Sequence, residues 1–307
     1  MNWSAIIPEI CLILPYQFNP MDELLQKANE LTPIEEYDGI FYKRDDLFRP
    51  FPGEALNGGK LRQAINLISH NLDLIRSDYN GKVATTGSVD SPQGLIISRV
   101  ALYYNLKCFV AYGNIGDEAL ITNNFIRHTR HFGGEVKSIL GIAFDNRLMP
   151  KLLELQQEGK GNNFFPIKFG IDIEKNACGI DCIAAQVKNI PDDVIHLVIP
   201  AGSGISAGAI LRGIQKFNKQ HIKIHIVHVS GKDRKETIDK ITPNFDYHYE
   251  ADTTYGNHHQ RLRRMVTENF YLDEIYEAKA YEWMLKHIYY DSEKTLFWVV
   301  GNANFYR

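Results

Sequence analysis

The sequence predicts an α/β protein of two three-layer lobes, each on a largely parallel, twisted sheet, with a cleft between them. Three observations predict it. Short β-rich runs alternate with helical patterns along the chain. The runs fall into two groups, three before about residue 140 and three after about residue 194. No internal repeat, low-complexity linker or membrane-length apolar run interrupts the alternation.

The N-terminal stretch MNWSAIIPEICLILPYQFNP is partly apolar, but it has no basic n-region and is broken by Pro8, Glu9 and Pro15, so it does not read as a signal peptide. Leu61, Ile65, Ile68, Leu72 and Ile75 are spaced 4, 3, 4 and 3 apart, one stripe of an amphipathic helix. A strand follows at Lys82–Thr86, then a helix near 92–104, a strand at Lys107–Tyr112 and a helix near 116–131. Glu135–Ile139 reads as a strand and 145–158 as a helix. In the second half the strands are Val194–Ile199, Ile222–Val229 and Thr295–Val300, with helices near 206–219, 256–268 and 275–290.

Composition narrows the class. Hydrophobic residues are 44% and charged residues 23% of 307, ordinary for a globular chain. A net charge of −3 gives no basic field, which disfavours bulk binding to nucleic acid or anionic membrane. The basic clusters Arg261, Arg263, Arg264 and Lys232, Arg234, Lys235 read as solvated faces. The four cysteines, Cys11, Cys108, Cys178 and Cys182, form no CxxC pair, so the expectation is a reducing cytoplasm and no metal site.

Two features carry chemistry. The first is VIHLVIPAGSGISAGAILRGIQKF, an apolar strand, the turn Gly202-Ser203-Gly204-Ile205-Ser206, and a helix. Such a turn converges backbone N–H groups at a helix N-terminus, which suits an anion, and Ser203 and Ser206 add hydroxyl donors. It lacks the Lys-Ser/Thr of a Walker A loop. Gly202-Ser-Gly204-Ile-Ser-Ala-Gly208 misses the dinucleotide spacing by one residue, and the next strand holds Lys223, His225 and His228 where a ribose-binding acid belongs. A mononucleotide-sized phosphate is the expectation; a tight turn without ligand is the plain alternative.

The second is ALNGGKLRQAINLISHNLDLI, which sets Lys60 behind two glycines at a helix start, where the peptide dipole mildly disfavours a cation. Burial and that dipole favour the neutral amine, which makes a nucleophile. Pyridoxal 5′-phosphate needs such a lysine, with a phosphate site elsewhere. The glycines let the backbone pass close to a cofactor ring.

FYKRDDLFRPFPGEALNGGKLRQ resembles the KREDL…GGNKLRK stretch of the fold type II pyridoxal-phosphate enzymes, in the branch of 1-aminocyclopropane-1-carboxylate deaminase and D-cysteine desulfhydrase, relatives of tryptophan synthase β. TTGSVDSPQGLIISRVALYYNLKCFVAYG, PAGSGISAG, ENFYLDEIYEAKAYEWML and TLFWVVGN are similar to further family motifs, in family order across nearly the whole chain. The resemblance implies that Lys60 is the Schiff-base lysine and that 202–206 grips the cofactor phosphate. It implies a cofactor cleft between a large domain (1–50 plus 161–307) and a small one (51–160). It puts Ser91 over the cofactor, with Ser88 and Gln93 beside it at a site for the substrate carboxylate. Tyr255 and Tyr276 match two active-site tyrosines, although most of the 16 tyrosines must be packing residues.

The chain departs from the pattern twice. Pro92 replaces an asparagine that bonds the cofactor's 3′-oxygen, leaving Ser88, Gln93 or Asn57 as substitutes. Val299 and Val300 stand where a threonine approaches the pyridine nitrogen, leaving Asn302 nearby. The implied activity is ammonia elimination or β-elimination from a small amino acid through an external aldimine, by a cytoplasmic homodimer. One alternative is a decarboxylase or lyase on an amino acid carried by a modified nucleotide or DNA base, with His258–Met265 meeting phosphates. Another is a non-catalytic pyridoxal-phosphate or nucleotide binder.

Overall fold

The computed structural model describes residues 22–141, 145–157, 163–171, 177–229, 233–251, 260–288 and 294–301. Asp22 caps the first helix, α1 (Glu23–Asn29), its Oδ1 accepting the Leu25 N–H at 3.0 Å. A hairpin follows, β1 (Ile34–Tyr37) and β2 (Ile40–Arg44), turned by Asp38-Gly39 with both φ positive. The predicted apolar stripe is buried except for the half-buried Leu72, and it lies on two helices: α2 (Gly59–His70) stops at Asn71 and α3 (Leu72–Asp78) carries Ile75. Asn71 ends α2 by donating its Nδ2 back to Leu67 O at 2.7 Å.

Next come β3 (Lys82–Gly87), α4 (Gln93–Tyr103), β4 (Lys107–Gly113), α5 (Asp117–Thr122), α6 (Asn124–His131), β5 (Gly134–Ile139), α7 (Asp145–Gln157) and β6 (Phe165–Ile167). The strands form a parallel sheet in the order β5-β4-β3-β6. The helix predicted over 116–131 is two helices, because Asn123 caps α6 with its Oδ1 on the Ile126 N–H at 3.1 Å. Both sheet faces are covered, as a parallel sheet requires. Val83, Cys108, Val110 and Tyr112 pack toward α2, α4 and α6, while Ala84 and Ala111 pack on Leu148, Met149 and Leu152 of α7.

The second sheet takes β7 (His196–Ala201), β8 (Lys223–His228), β9 (His248–Ala251) and β12 (Thr295–Val299), with α8 (Ala177–Ala185), α9 (Ile205–Lys216), α10 (Lys235–Ile241) and α11 (Glu277–His287) on its faces. Its order is β1-β2-β12-β7-β8-β9, parallel except at the β1–β2 edge. Leu197, Ile199, Leu296 and Trp298 join the core under α8, α9 and α10; Val198, Phe297 and Val299 join the core under α11.

The helix predicted over 256–268 is corrected throughout its described part, since residues 260–264 form no helical turn either. Residues 252–259 lie outside the described residues, and Met265–Thr267 is a strand, β10, paired antiparallel with β11 (Phe270–Tyr271). Val266 and Thr267 are β-branched, and two residues make the turn to Phe270. Among the described residues no helix is long and apolar enough to cross a membrane.

Under α11 lies a histidine cluster. His196 Nδ1 and His225 Nε2 are 2.9 Å apart, and Trp283 stacks on His248 and His287. Burial, then the neighbouring His196, His248 and Lys223, push His225 down to about 4 from 6.5. The folded state therefore refuses a proton that the unfolded chain accepts. Stability is full above about pH 6.5 and falls as the pH drops toward about 4. Thermal melts should show a Tm several degrees lower at pH 5 than at pH 7, and His225→Phe should flatten that slope.

Candidate active site

The helix that carries Lys60 begins on a backbone glycine contact. Gly58 has φ +89° and ψ −178°, which glycine alone tolerates. The Gly59 N–H donates to Val300 O at 2.8 Å, and the Gly58 N–H to Phe48 O at 3.3 Å. A Cβ on Gly58 would stand 2.5 Å from Val300 O and 2.6 Å from Gly301 Cα. The first turn of α2 is thus pressed onto the end of β12. Val300, whose side chain cannot hydrogen-bond, acts here through its carbonyl.

A buried polar network supports this join. Lys43, Arg44, Asp45 and Asp46 are each 6% exposed or less. Asp45 accepts from Thr32 Oγ1 at 2.8 Å and Trp298 Nε1 at 3.1 Å, and stands 3.6 Å from Arg62 Nη2. Arg62 also donates to Glu30 O at 3.0 Å and lies over the Phe48 ring at 4.2 Å. Lys43 donates to Thr32 O and Asn189 Oδ1, both at 2.7 Å, and burial pulls its pKa down to about 8. With each charge paired or hydrogen-bonded, the cluster ties α2 to β2 and β12.

Opposite Lys60, β7 ends in the glycine loop. Gly204 has φ +84° and precedes α9, and no side chain caps that helix start. The first N–H groups of α9 are therefore available to an anion. The Tyr276 ring lies on Gly202, where a Cβ would stand 2.6 Å from Cε1. Lys60, Asn57, Gly202, Ser203, Gly204, Ser206 and Tyr276 line one cavity of about 130 Å³. That is near the ~150 Å³ that accepts a benzene-sized ring.

Ser88, Ser91, Gln93 and Ile205 are not among the residues that line this cavity. Ser91 is buried beside the lining residue Pro92, which is the N-cap of α4, and its Oγ accepts the Gln93 N–H at 3.3 Å. Ser88 is exposed. The Ile205 side chain is buried in the core under α9, leaving its backbone N–H at the helix start. Tyr255 and Asn302 lie outside the described residues.

Gln93 is fully buried: its Nε2 donates to Thr85 Oγ1 and Lys168 O, both at 2.9 Å, and its Oε1 accepts the Gly170 N–H at 2.8 Å. It thereby pins the segment that sets Phe169 over Lys60 Nζ, 5.6 Å from the ring centroid. Gln93→Leu should destabilise the chain by about 2 kcal/mol, because the Gly170 N–H loses its acceptor while Lys168 O keeps the Ile171 N–H at 3.0 Å. Urea unfolding checks it.

Phe169, Arg234, Asp273 and Glu277 were not expected here. Phe169, Arg234 and Asp273 line the cavity. Asp273 Oδ1 accepts the Ile275 and Tyr276 N–H groups at 3.0 Å, which fixes the tyrosine's backbone. Glu277 is buried, accepting from Asp273 N–H at 2.8 Å and Gly301 N–H at 2.9 Å; burial and Asp273 hold it well above the usual carboxylate range. An acid next to a candidate tyrosine in a helix's first turn was the available signal.

The residues present fit a phosphorylated pyridine aldehyde. An amine and a glycine cradle share the cavity, and a buried polar atom of one lining residue, Arg234 Nε, lacks a hydrogen-bond partner.

No protein-family model matches the chain. A curated relative, the O-seryl-dTMP PLP-dependent decarboxylase of Salmonella phage ViI, is 26% identical over 213 residues, 65% of this chain. The matched part is about half, 49%, of that protein's length. Among solved structures, an ACC deaminase homologue superposes with TM-score 0.70 at 19% identity, covering 89% of both chains. Threonine deaminase isoform 2 of Solanum lycopersicum gives 0.62 at 17%, covering 92% of this chain and 87% of its own. The O-acetylserine dependent cystathionine β-synthase of Helicobacter pylori gives 0.64 at 17%, covering 92% and 96%.

Proposed function

We propose that this chain, whose fold is that of the fold type II pyridoxal-phosphate enzymes, binds pyridoxal 5′-phosphate and breaks a bond at Cα of an amino acid carried on a nucleotide, as a decarboxylase or lyase. One observation carries the cofactor: Lys60 and the 202–206 loop line the same cavity. The phage decarboxylase supports the substrate class.

Lys60 supplies the amine for the cofactor aldehyde and afterwards holds or returns the proton at Cα. The backbone N–H groups of Gly202, Ser203, Gly204, Ile205 and Ser206, with the two hydroxyls, take the phosphate. When bound, the cofactor supplies the electron sink for the bond broken at Cα. Ser91, with Ser88 flanking it, holds the substrate carboxylate at the start of α4, while Gln93 keeps the 168–170 segment in place. Asn57, which lines the cavity just ahead of α2, would be one of the residues that hold the cofactor. Tyr276, its backbone fixed by Asp273, relays protons from the far wall. Phe169 shields the lysine amine from water on the side it covers.

A second reading keeps the cofactor and has a free amino acid lose ammonia or a β-substituent. It is supported by the deaminase folds, which match about nine-tenths of this chain. Product analysis separates the two. Serine joined to a thymidine nucleotide through its side-chain oxygen, with its amine and carboxylate free, should release carbon dioxide and leave an aminoethyl group on the nucleotide. Ammonia and a keto acid from free serine, with the nucleotide conjugate untouched, would establish the second reading instead.

A further inference from the structure

We propose that Arg234 is a second phosphate-binding element of the cavity, holding a phosphate monoester at the glycine-loop end. This rests on the reading above. Arg234 lines the cavity, and its Cβ is 3.2 Å from where a Cβ on Gly204 would stand. Its Nε is buried without a hydrogen-bond partner, and among the described residues it makes no ion pair. Its main chain is pinned, with the N–H donating to the Tyr249 hydroxyl at 3.0 Å.

Nearby cations differ. Lys235 pairs with Asp239 at 3.0 Å, Arg263 with Glu274 at 3.0 Å, and Arg264 with Glu282. The basic run expected to meet phosphates is thus largely neutralised by its own acids, while Arg234, expected on a solvated face, reaches the cavity. Asp273, the acid that lines the cavity, has its Oδ1 engaged by two backbone N–H groups. A desolvated guanidinium donor with no protein acceptor is costly unless a ligand supplies one, and its planar fork matches phosphate oxygens.

Two phosphates come within reach: the cofactor's phosphoester and the substrate nucleotide's. The full chain and its Arg234→Gln variant would be titrated with pyridoxal phosphate and with pyridoxal, followed by absorbance. The loaded proteins would then be dialysed against thymidine monophosphate and against thymidine. The expected result is about tenfold or greater weakening of one phosphate ligand, with its phosphate-free counterpart unchanged. Weakening of pyridoxal phosphate assigns the cofactor's phosphate, and weakening of thymidine monophosphate the nucleotide's. Arg234→Lys, which keeps the charge, should recover part of the loss. Unchanged binding of both phosphates overturns the proposal, and so does equal weakening of the phosphate-free ligands. Failure of the underlying reading is a separate result: wild-type protein that borohydride never labels at Lys60.

Discussion

Lys60→Ala should give a protein that still takes up pyridoxal phosphate at the glycine loop, yet holds none of it after borohydride reduction and denaturation. Turnover should drop by at least ~10³-fold, because one side chain serves both as nucleophile and as proton carrier. The helix should survive, since Lys60 is half-exposed at its second residue while the buried residues Leu61, Ala64, Ile65 and Ile68 lock it. Mass spectrometry of the reduced, digested protein is the measurement. A label on any other lysine, or equal labelling of the variant, would remove Lys60 from the chemistry. Added small amines should restore part of the turnover, which an incidental structural lysine would not permit.

Gly58→Ala should be the most damaging single methyl group near the site. The new Cβ would need a backbone conformation that L-residues avoid, and it would strike Val300 O and Gly301 Cα, which are main-chain atoms unable to swing aside. Strain and overpacking together amount to about 3 kcal/mol or more. Gly59→Ala is the control. Its Cβ would meet only the tip of the Ile183 side chain, at 3.1 Å and not main-chain atoms, so the cost should be smaller. Urea midpoints for the two variants, with Lys60 labelling beside them, test the difference. Comparable losses from both would mean that the α2–β12 contact is not what positions the lysine.

Six parallel strands, β3, β4, β5, β7, β8 and β12, were legible because both faces of each sheet are buried, which writes apolar runs such as VIHLVI, whereas β9, HYEA at a sheet edge, was not. The edge hairpin was less legible than the six. Asp38-Gly39 was a clear turn signal, but β1 reads IEEY, with polar residues on an edge that needs no apolar pattern. β6, three residues with a central proline, is too short to carry any pattern. At the site, the glycine loop and Lys60 could be read because their chemistry needs particular residue types at particular offsets. Phe169, Arg234 and Glu277 could not, since each reaches its place through tertiary packing: a pinned loop, a helix start beside Gly204, and a helix whose first turn meets the end of β12. Gln93 looked like a ligand by position; what it visibly does is bond three groups of its own chain.

One consequence follows from the way α2 is mounted. Its first turn is bonded to β12, in the frame that also bears the glycine loop, whereas Pro92 and Ile96 on the facing wall ride on α4, which packs on the other sheet. α2 also packs on α4 in the core of the first sheet, so the lysine's helix bridges the two sheets. A shift of one sheet against the other is therefore felt at the amine, and any change of substrate on the facing wall is coupled to the reactive centre.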